Sequence, residues 1–150
     1  MSEIDKILLT FILTTFANFL AFLASKVYYK PIEKYRDLKS HTSYALTYYA
    51  NIYSNPIDIA KTNNNLPEEY KVASSELRKL AAEWKSFIYL KSFPGLFVLS
   101  NKKILQVSKN LIGLSNSLTL PYNTNDNFSE KVENINRIIN EIRSTLKLKS

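Results

Sequence analysis

Nineteen consecutive residues without a charge, Ile7 to Ser25, lie between Lys6 and Lys26. A helix rises about 1.5 Å per residue and a hydrocarbon core is about 30 Å thick, so Ile7 to about Tyr29 can cross a bilayer with some tilt. Residues 1–30 are therefore read as a transmembrane anchor, with membrane lipid as the first expected partner.

The flanks of this segment predict its sidedness. Lys26, Lys30, Lys34, Arg36 and Lys39 crowd the C-terminal side, whereas Lys6 on the N-terminal side stands beside Glu3 and Asp5. Basic residues are retained on the cytoplasmic face, which predicts a single-pass inner-membrane protein with residues 31–150 in the cytoplasm. Tyr28 and Tyr29 fall at the exit level, where an aromatic ring meets acyl chains while its hydroxyl reaches water. Pro31 suits the first turn of a new helix. A cleaved secretory signal is the competing reading. Against it stand the length of the apolar run, the acidic residues ahead of it and the lack of a small-x-small site before Lys26. The chain contains no cysteine, which fits a reducing compartment.

At 100° per residue, Thr10, Thr14, Ala17, Asn18, Ala21, Ala24 and Ser25 share one face of the span. Leu8, Ile12, Phe16, Phe19 and Leu23 occupy the other. Small residues let helix backbones approach, and Thr or Asn can hydrogen-bond across the contact for about 1 kcal/mol. A carboxamide in hydrocarbon loses its bonds to water, so Asn18 favours a partner, and a second copy of the span is the obvious supplier. The expected oligomerisation face is Thr10, Thr14, Ala17, Asn18, Ala21 and Ser25. The alternative is a lone anchor whose threonine hydroxyls bond back to their own helix.

The remaining residues read as helices: two glycines, no strand-like alternation, and periodic segments separated by Asn- and Pro-rich breaks. A first helix from Pro31 to Ser54 would bury Tyr35, Leu38, Thr42, Ala45, Leu46, Tyr49, Ile52 and Tyr53, ending at Asn55-Pro56. After a loop containing Asn63, Asn64 and Asn65, Pro67, Glu68 and Glu69 announce a second helix. Its face is Tyr70, Ala73, Leu77, Leu80, Ala81, Trp84, Phe87 and Ile88. A third starts at Ser100 or Asn101 and carries Ile104, Leu105, Leu111, Ile112, Ser115 and Leu118 as far as Pro121. A fourth follows Asp126, with Ser129 as its cap and Phe128, Val132, Ile135, Ile138, Ile139, Ile142 and Leu146 on its face. The expected fold is all-α: a transmembrane helix followed by a cytoplasmic four-helix bundle over residues 31–150.

The formal net charge of +7 is unevenly spread. Lys26 to Lys39 holds five basic residues against two acidic ones, and Lys102, Lys103 and Lys109 form a second cluster. A juxtamembrane basic cluster matches anionic lipid at about 1 kcal/mol per well-placed cation. Lys26, Lys30, Lys34, Lys102 and Lys103 are the candidate headgroup contacts. The second cluster follows an aromatic run, Phe87 to Leu99, that is too short to span and is broken by Pro94-Gly95. That run reads as the end of a helix plus a buried turn, or alternatively as a segment dipping into the headgroup layer. Positive charge without a recognisable module is weak support for nucleic acid, which is not an expected partner.

Most chemistry is excluded by what the chain lacks. Thiol catalysis needs cysteine, zinc would have only His41 with carboxylates, and the isolated Gly95 and Gly113 make no phosphate loop. No metal or cofactor is expected. Arg36-Asp-Leu-Lys-Ser-His41 has the R-x4-H spacing of HEPN ribonucleases, and it resembles them over those six residues. The resemblance implies an RNA endonuclease in which Arg36 and His41 act across a dimer. Five residues on a straight helix diverge by about 140°, however, and His41 borders the apolar face, so a core or flank histidine is the favoured assignment. Membrane-tethered proteins with HEPN-like motifs also serve as accessory factors of bacterial antiviral systems, some of them forming pores.

A broader resemblance rests on Tyr48-Tyr-Ala-Asn-Ile-Tyr-Ser-Asn-Pro56, Ala73-Ser-Ser-Glu-Leu-Arg-Lys-Leu-Ala-Ala-Glu83 and Asn110-Leu-Ile-Gly-Leu-Ser-Asn-Ser117. These segments resemble a family of small bacterial single-span proteins with a cytoplasmic helical domain. Trp84-Lys85 departs from that family's Leu-Arg. The resemblance implies the architecture and supplies no reaction. The leading expectation is a non-enzymatic, self-associating scaffold or pore-type membrane factor that also engages an unidentified cytoplasmic protein.

Overall fold

A computed structural model of the protein describes residues 2–57, 65–90, 98–119 and 128–148. All regular structure among them is helical: α1 (Glu3–Ala24), a π-helical turn (Ser25–Tyr29), α2 (Lys30–Tyr48), α3 (Ala50–Ser54), α4 (Glu68–Leu90), α5 (Asn101–Thr119) and α6 (Phe128–Leu146). Asn63, Asn64, the Pro94-Gly95 break, Pro121 and Asp126 lie outside the described residues.

Ser2 caps α1 in a capping box, its hydroxyl accepting from the Asp5 N–H while the Asp5 carboxylate accepts from the Ser2 N–H. From Glu3 to Tyr48 the helical path is continuous over 46 residues, about 69 Å at the α-helical rise. Pro31 falls in the first turn of α2, as its sequence position suggests, but α2 follows α1 with no break in the helical path. The proline lacks an N–H and its ring crowds the carbonyl four residues back, and the backbone accommodates it by widening just ahead of it. The Lys30 N–H reaches the Ser25 carbonyl, one residue further back than in an α-helix.

The segment expected as one helix from Pro31 to Ser54 divides at Tyr49, whose backbone leaves helical geometry. The break turns Ile52 and Tyr53 into the core, where the Tyr53 hydroxyl donates to the Ala45 carbonyl at 3.3 Å.

The helices beyond α1 pack in alternating directions. Lys34 meets Glu83 near the start of α2, and the Tyr70 hydroxyl meets the Asn55 carbonyl just past the end of α3, so α4 runs back along α2. Ser74 faces Ser115 and Ala81 faces Ser108, which sets α5 antiparallel to α4. Asn110 bonds Glu141, and a Cβ on Gly113 would touch Ile138 at an ordinary 3.8 Å, which sets α6 antiparallel to α5. α6 also touches α2.

One core of aliphatic and aromatic residues from α2 to α6 results, centred on Trp84 and Phe87. Tyr35 leans on both rings, edge-on to Trp84 at 5.8 Å and tilted to Phe87 at 6.2 Å. Four polar side chains are buried with it, and each is bonded. The indole N–H of Trp84 donates to Thr42 Oγ1 at 2.9 Å, and that hydroxyl donates on to the Leu38 carbonyl at 2.7 Å. Ser108 donates to the Ala81 carbonyl, while Ser74 and Ser115 bond each other at 2.7 Å. Serine and alanine at these heptad-spaced positions bring α4 and α5 close enough for side chains to reach the facing backbone.

Three expectations about faces require correction. Leu105 and Ile112 are exposed by 38% and 43%, because Ser108, Ser115 and Val107 turn α5 by about one residue's angle from the orientation its largest side chains suggest. Phe128 is likewise exposed, and Ser129 lies inside α6 instead of capping it. Trp84, Leu114 and Ile142 are among the side chains wholly removed from solvent.

Candidate functional site

α1 contains twelve large hydrophobic residues, from Ile4 to Leu23, and every one of them is exposed; none of its side chains is buried. Those residues point to all sides of the helix, whereas a helix packed in a water-soluble core is apolar on a stripe and covered along it. Among the described residues it is the single helix long and apolar enough to cross a membrane.

The polar face of α1 lies where its spacing put it. Thr10 donates to the Lys6 carbonyl at 2.9 Å and Thr14 to the Thr10 carbonyl at 2.8 Å, so both hydroxyls are satisfied within their own helix. Neither needs a neighbour, which is the lone-anchor arrangement for those two residues. Asn18 differs from them: its carboxamide is exposed and has no hydrogen-bond partner among the described residues. Ala17, Ala21 and Ser25 continue that face to the π-helical turn, all exposed.

The five candidate headgroup lysines separate into different environments. The Lys26 ammonium folds back over the Phe22 ring, 5.2 Å from its centroid. Lys30 is exposed. Lys34 is an intramolecular tie, its ammonium 3.2 Å from the Glu83 carboxylate, and both groups are partly buried. Lys102 and Lys103 are exposed in the first turn of α5. Since α5 runs parallel to α2 with α4 between them, both clusters lie at the end of the helical body from which α1 emerges. The opposite end carries Glu68, Glu69 and Glu76 of α4 and Glu130 and Glu133 of α6.

Arg36 and His41 are both exposed on α2. His41 is not a core histidine, since Leu38, Thr42, Ala45 and Leu46 take the buried stripe and leave it about a quarter turn outside. Neither side chain has a hydrogen-bonded partner among the described residues, so nothing orients the imidazole toward the guanidinium. No group of three metal-ligating side chains occurs among the described residues.

Two grooves lie among the described residues of the body. One, lined by Gln106 of α5 and by α6 residues including Arg137 and Glu141, holds about 590 Å³; Arg137 bonds both Glu141 and, outside the lining, Asn134, and Glu141 also accepts from Asn110. The other, of about 740 Å³, lies between the α2–α3 corner and the start of α4, walled by Tyr48, Tyr49, Glu69 and Val72. Here the Tyr44 and Tyr48 rings stack at 5.3 Å with 15° between planes, both more than 60% exposed, and Tyr49 meets Tyr48 edge-on at 5.0 Å. Burial first, and then the nearby negative charge of Glu76, raises the Tyr49 phenol above its ordinary range. Burial does the same to Tyr35, Tyr70 and, most strongly, Tyr53.

The tyrosine stack is not foreseen from the sequence, where Tyr35, Tyr49 and Tyr53 are placed on the buried face and Tyr44 and Tyr48 are given no role. The i, i+4 spacing of Tyr44 and Tyr48 was the available signal, because the apolar stripe through Leu38, Thr42, Ala45 and Leu46 leaves no room for either. Comparison with protein families, curated proteins and solved structures returns no match for this chain.

Proposed function

We propose that the protein is a non-enzymatic, single-pass inner-membrane scaffold. In this reading α1 is the span and α2 to α6 form a cytoplasmic four-helix bundle. The observation that carries it is the exposure of every large hydrophobic side chain on α1. An exposed apolar surface of this extent favours lipid or another apolar partner over water. The basic residues at the α1 end of the body favour the cytoplasmic side and an anionic headgroup layer, with Lys26, Lys30, Lys102 and Lys103 as contacts and Lys34 holding the bundle to its stem.

Asn18 is the group that asks for a second copy. With Thr10 and Thr14 satisfied internally, a carboxamide facing acyl chains gains most from a carboxamide on a neighbouring span. Self-association through Asn18, Ala21 and the small residues around them makes the assembly a homo-oligomer. A pore-type role in bacterial phage defence is the further step that the resemblance to antiviral accessory factors suggests.

The test is the mass of the full-length protein extracted in non-ionic detergent, measured by light scattering beside Asn18→Leu. A closed oligomer that falls to monomer in Asn18→Leu is the expected outcome. A monomer in both proteins removes self-association from the proposal. Protein that stays dissolved without detergent and fails to sediment with vesicles removes the membrane anchor itself.

A further inference from the structure

The groove at the end of the body far from α1 has two unlike walls. On the α2 side it is aromatic: Tyr48 and Tyr49 line it, and Tyr44, stacked on Tyr48, extends the exposed aromatic face beyond its rim. On the α4 side it is acidic and apolar: Glu68, Glu69 and Val72 line it, Glu68 already paired with Lys71 at 3.5 Å, and Glu76, outside the lining, continues the Glu69–Val72 row along the helix at four-residue spacing. Neither Glu69 nor Glu76 has an ion-pair partner among the described residues, although the chain carries an excess of seven positive charges.

The same pair of helices shows what such a wall accepts. Nearer α1, α2 supplies Lys34 and α4 supplies Glu83, and the ammonium bridges the two helices at 3.2 Å. At the Glu69–Glu76 level, α2 supplies tyrosine in place of lysine, and among the described residues no cation pairs with these two carboxylates. An aromatic face next to a carboxylate binds ammonium or guanidinium through ring quadrupole and charge together.

We infer that this groove is a docking site for a basic, partly apolar segment of another protein, placing a lysine or arginine between Tyr48 and the Glu69–Glu76 row and an apolar side chain on Val72. A volume of about 740 Å³ is larger than a lone ammonium needs and suits several side chains. A second copy of this chain fits poorly. If α1 spans a bilayer as proposed above, neighbouring copies stand parallel, with their basic ends level with one another and away from each other's grooves.

The test uses the full-length protein in non-ionic detergent, so its outcome does not depend on membrane insertion. The probe is a fluorescent peptide of alternating lysine and leucine, followed by anisotropy, with a glutamine-for-lysine peptide as control. Because the protein is net positive, diffuse electrostatics repels the lysine peptide, and binding reports a local acidic site. Wild type is expected to bind the lysine peptide alone. Tyr48→Ala weakens it about fivefold and the pair Glu69→Gln with Glu76→Gln about tenfold or more. Glu133→Gln, on α6, leaves it unchanged. All four residues are exposed, and thermal melts are expected to match wild type. Absence of binding by wild type, equal binding of the glutamine peptide, or equal affinity in the Tyr48 and glutamate variants overturns the docking site.

Discussion

α1 and α6 are both rich in isoleucine, leucine and phenylalanine, yet they distribute them in opposite ways. α6 confines Ile135, Ile138, Ile142 and Leu146 to one stripe and buries all four, while Glu130, Glu133 and Arg137 keep its outer side in water. α1 spreads twelve large hydrophobics around its whole circumference and buries none. The first pattern obtains its free energy from contacts inside the chain. The second leaves that free energy to be collected from outside, in lipid or in another copy. Stability of the body and attachment of the protein are therefore expected to vary independently.

The strongest way to break that separation is to place charge in the middle of α1. Ile12→Lys with Phe16→Lys carries a cost near the centre of a span of about 5 to 7 kcal/mol. Vesicle flotation is expected to fail while the thermal midpoint of the body stays unchanged. Loss of folding in that variant would show that α1 belongs to the core.

Trp84→Ala is the complementary change. Removing a side chain with no solvent exposure from the centre of the core is expected to destabilise the body by about 3 to 5 kcal/mol in denaturant unfolding, with flotation retained. A smaller effect is expected from Thr42→Val, which keeps the shape but leaves the buried Trp84 N–H without its acceptor. About 1 to 3 kcal/mol should be lost, and a red shift or broadening of tryptophan emission would report the disturbed indole. Smallest, and of opposite sign, is Gly113→Ala. The added methyl group meets Ile138 at an ordinary 3.8 Å, so replacing a mid-helix glycine should stabilise the body by roughly 0.5 to 1 kcal/mol. A loss of stability there would mean that α5 and α6 cannot give even a few tenths of an ångström.

Much of the fold is legible in the chain, and the misreadings have separate physical causes. Periodicity located α4 and its buried face from Tyr70 to Phe87 because large side chains mark that stripe without interruption. It misplaced Leu105 and Ile112 because the closest approach of α5 to α4 is made by serines, whose value lies in their small size and their bonds to facing groups. Weight given to apolar bulk misses such a contact. The division at Tyr49 was hidden for a different reason: nothing in Tyr48-Tyr49-Ala50 forbids a helix, and the bend depends on the core having room for Ile52 and Tyr53. At the candidate sites, that Thr10, Thr14, Ala17, Asn18 and Ala21 share a side follows from α1 being a helix, a property of a single element. Which lysines share an end with Lys26 required the pairing of α2, α4 and α5, and the acidic wall beside the tyrosines required the same pairing. His41 bordered the apolar stripe on a helical plot, and real packing left it in solvent.

The wide turn ahead of Pro31 has a consequence for geometry between copies. Helical phase advances by about 100° for each residue, so the extra residue accommodated between Ser25 and Lys30 fixes the azimuth of Asn18 relative to the tyrosine-lined side of the body. Deleting one residue there would swing one against the other by roughly a quarter of a revolution. If copies associate through Asn18 as proposed, the helices could still meet through their carboxamides, but adjoining bodies would turn different flanks toward each other.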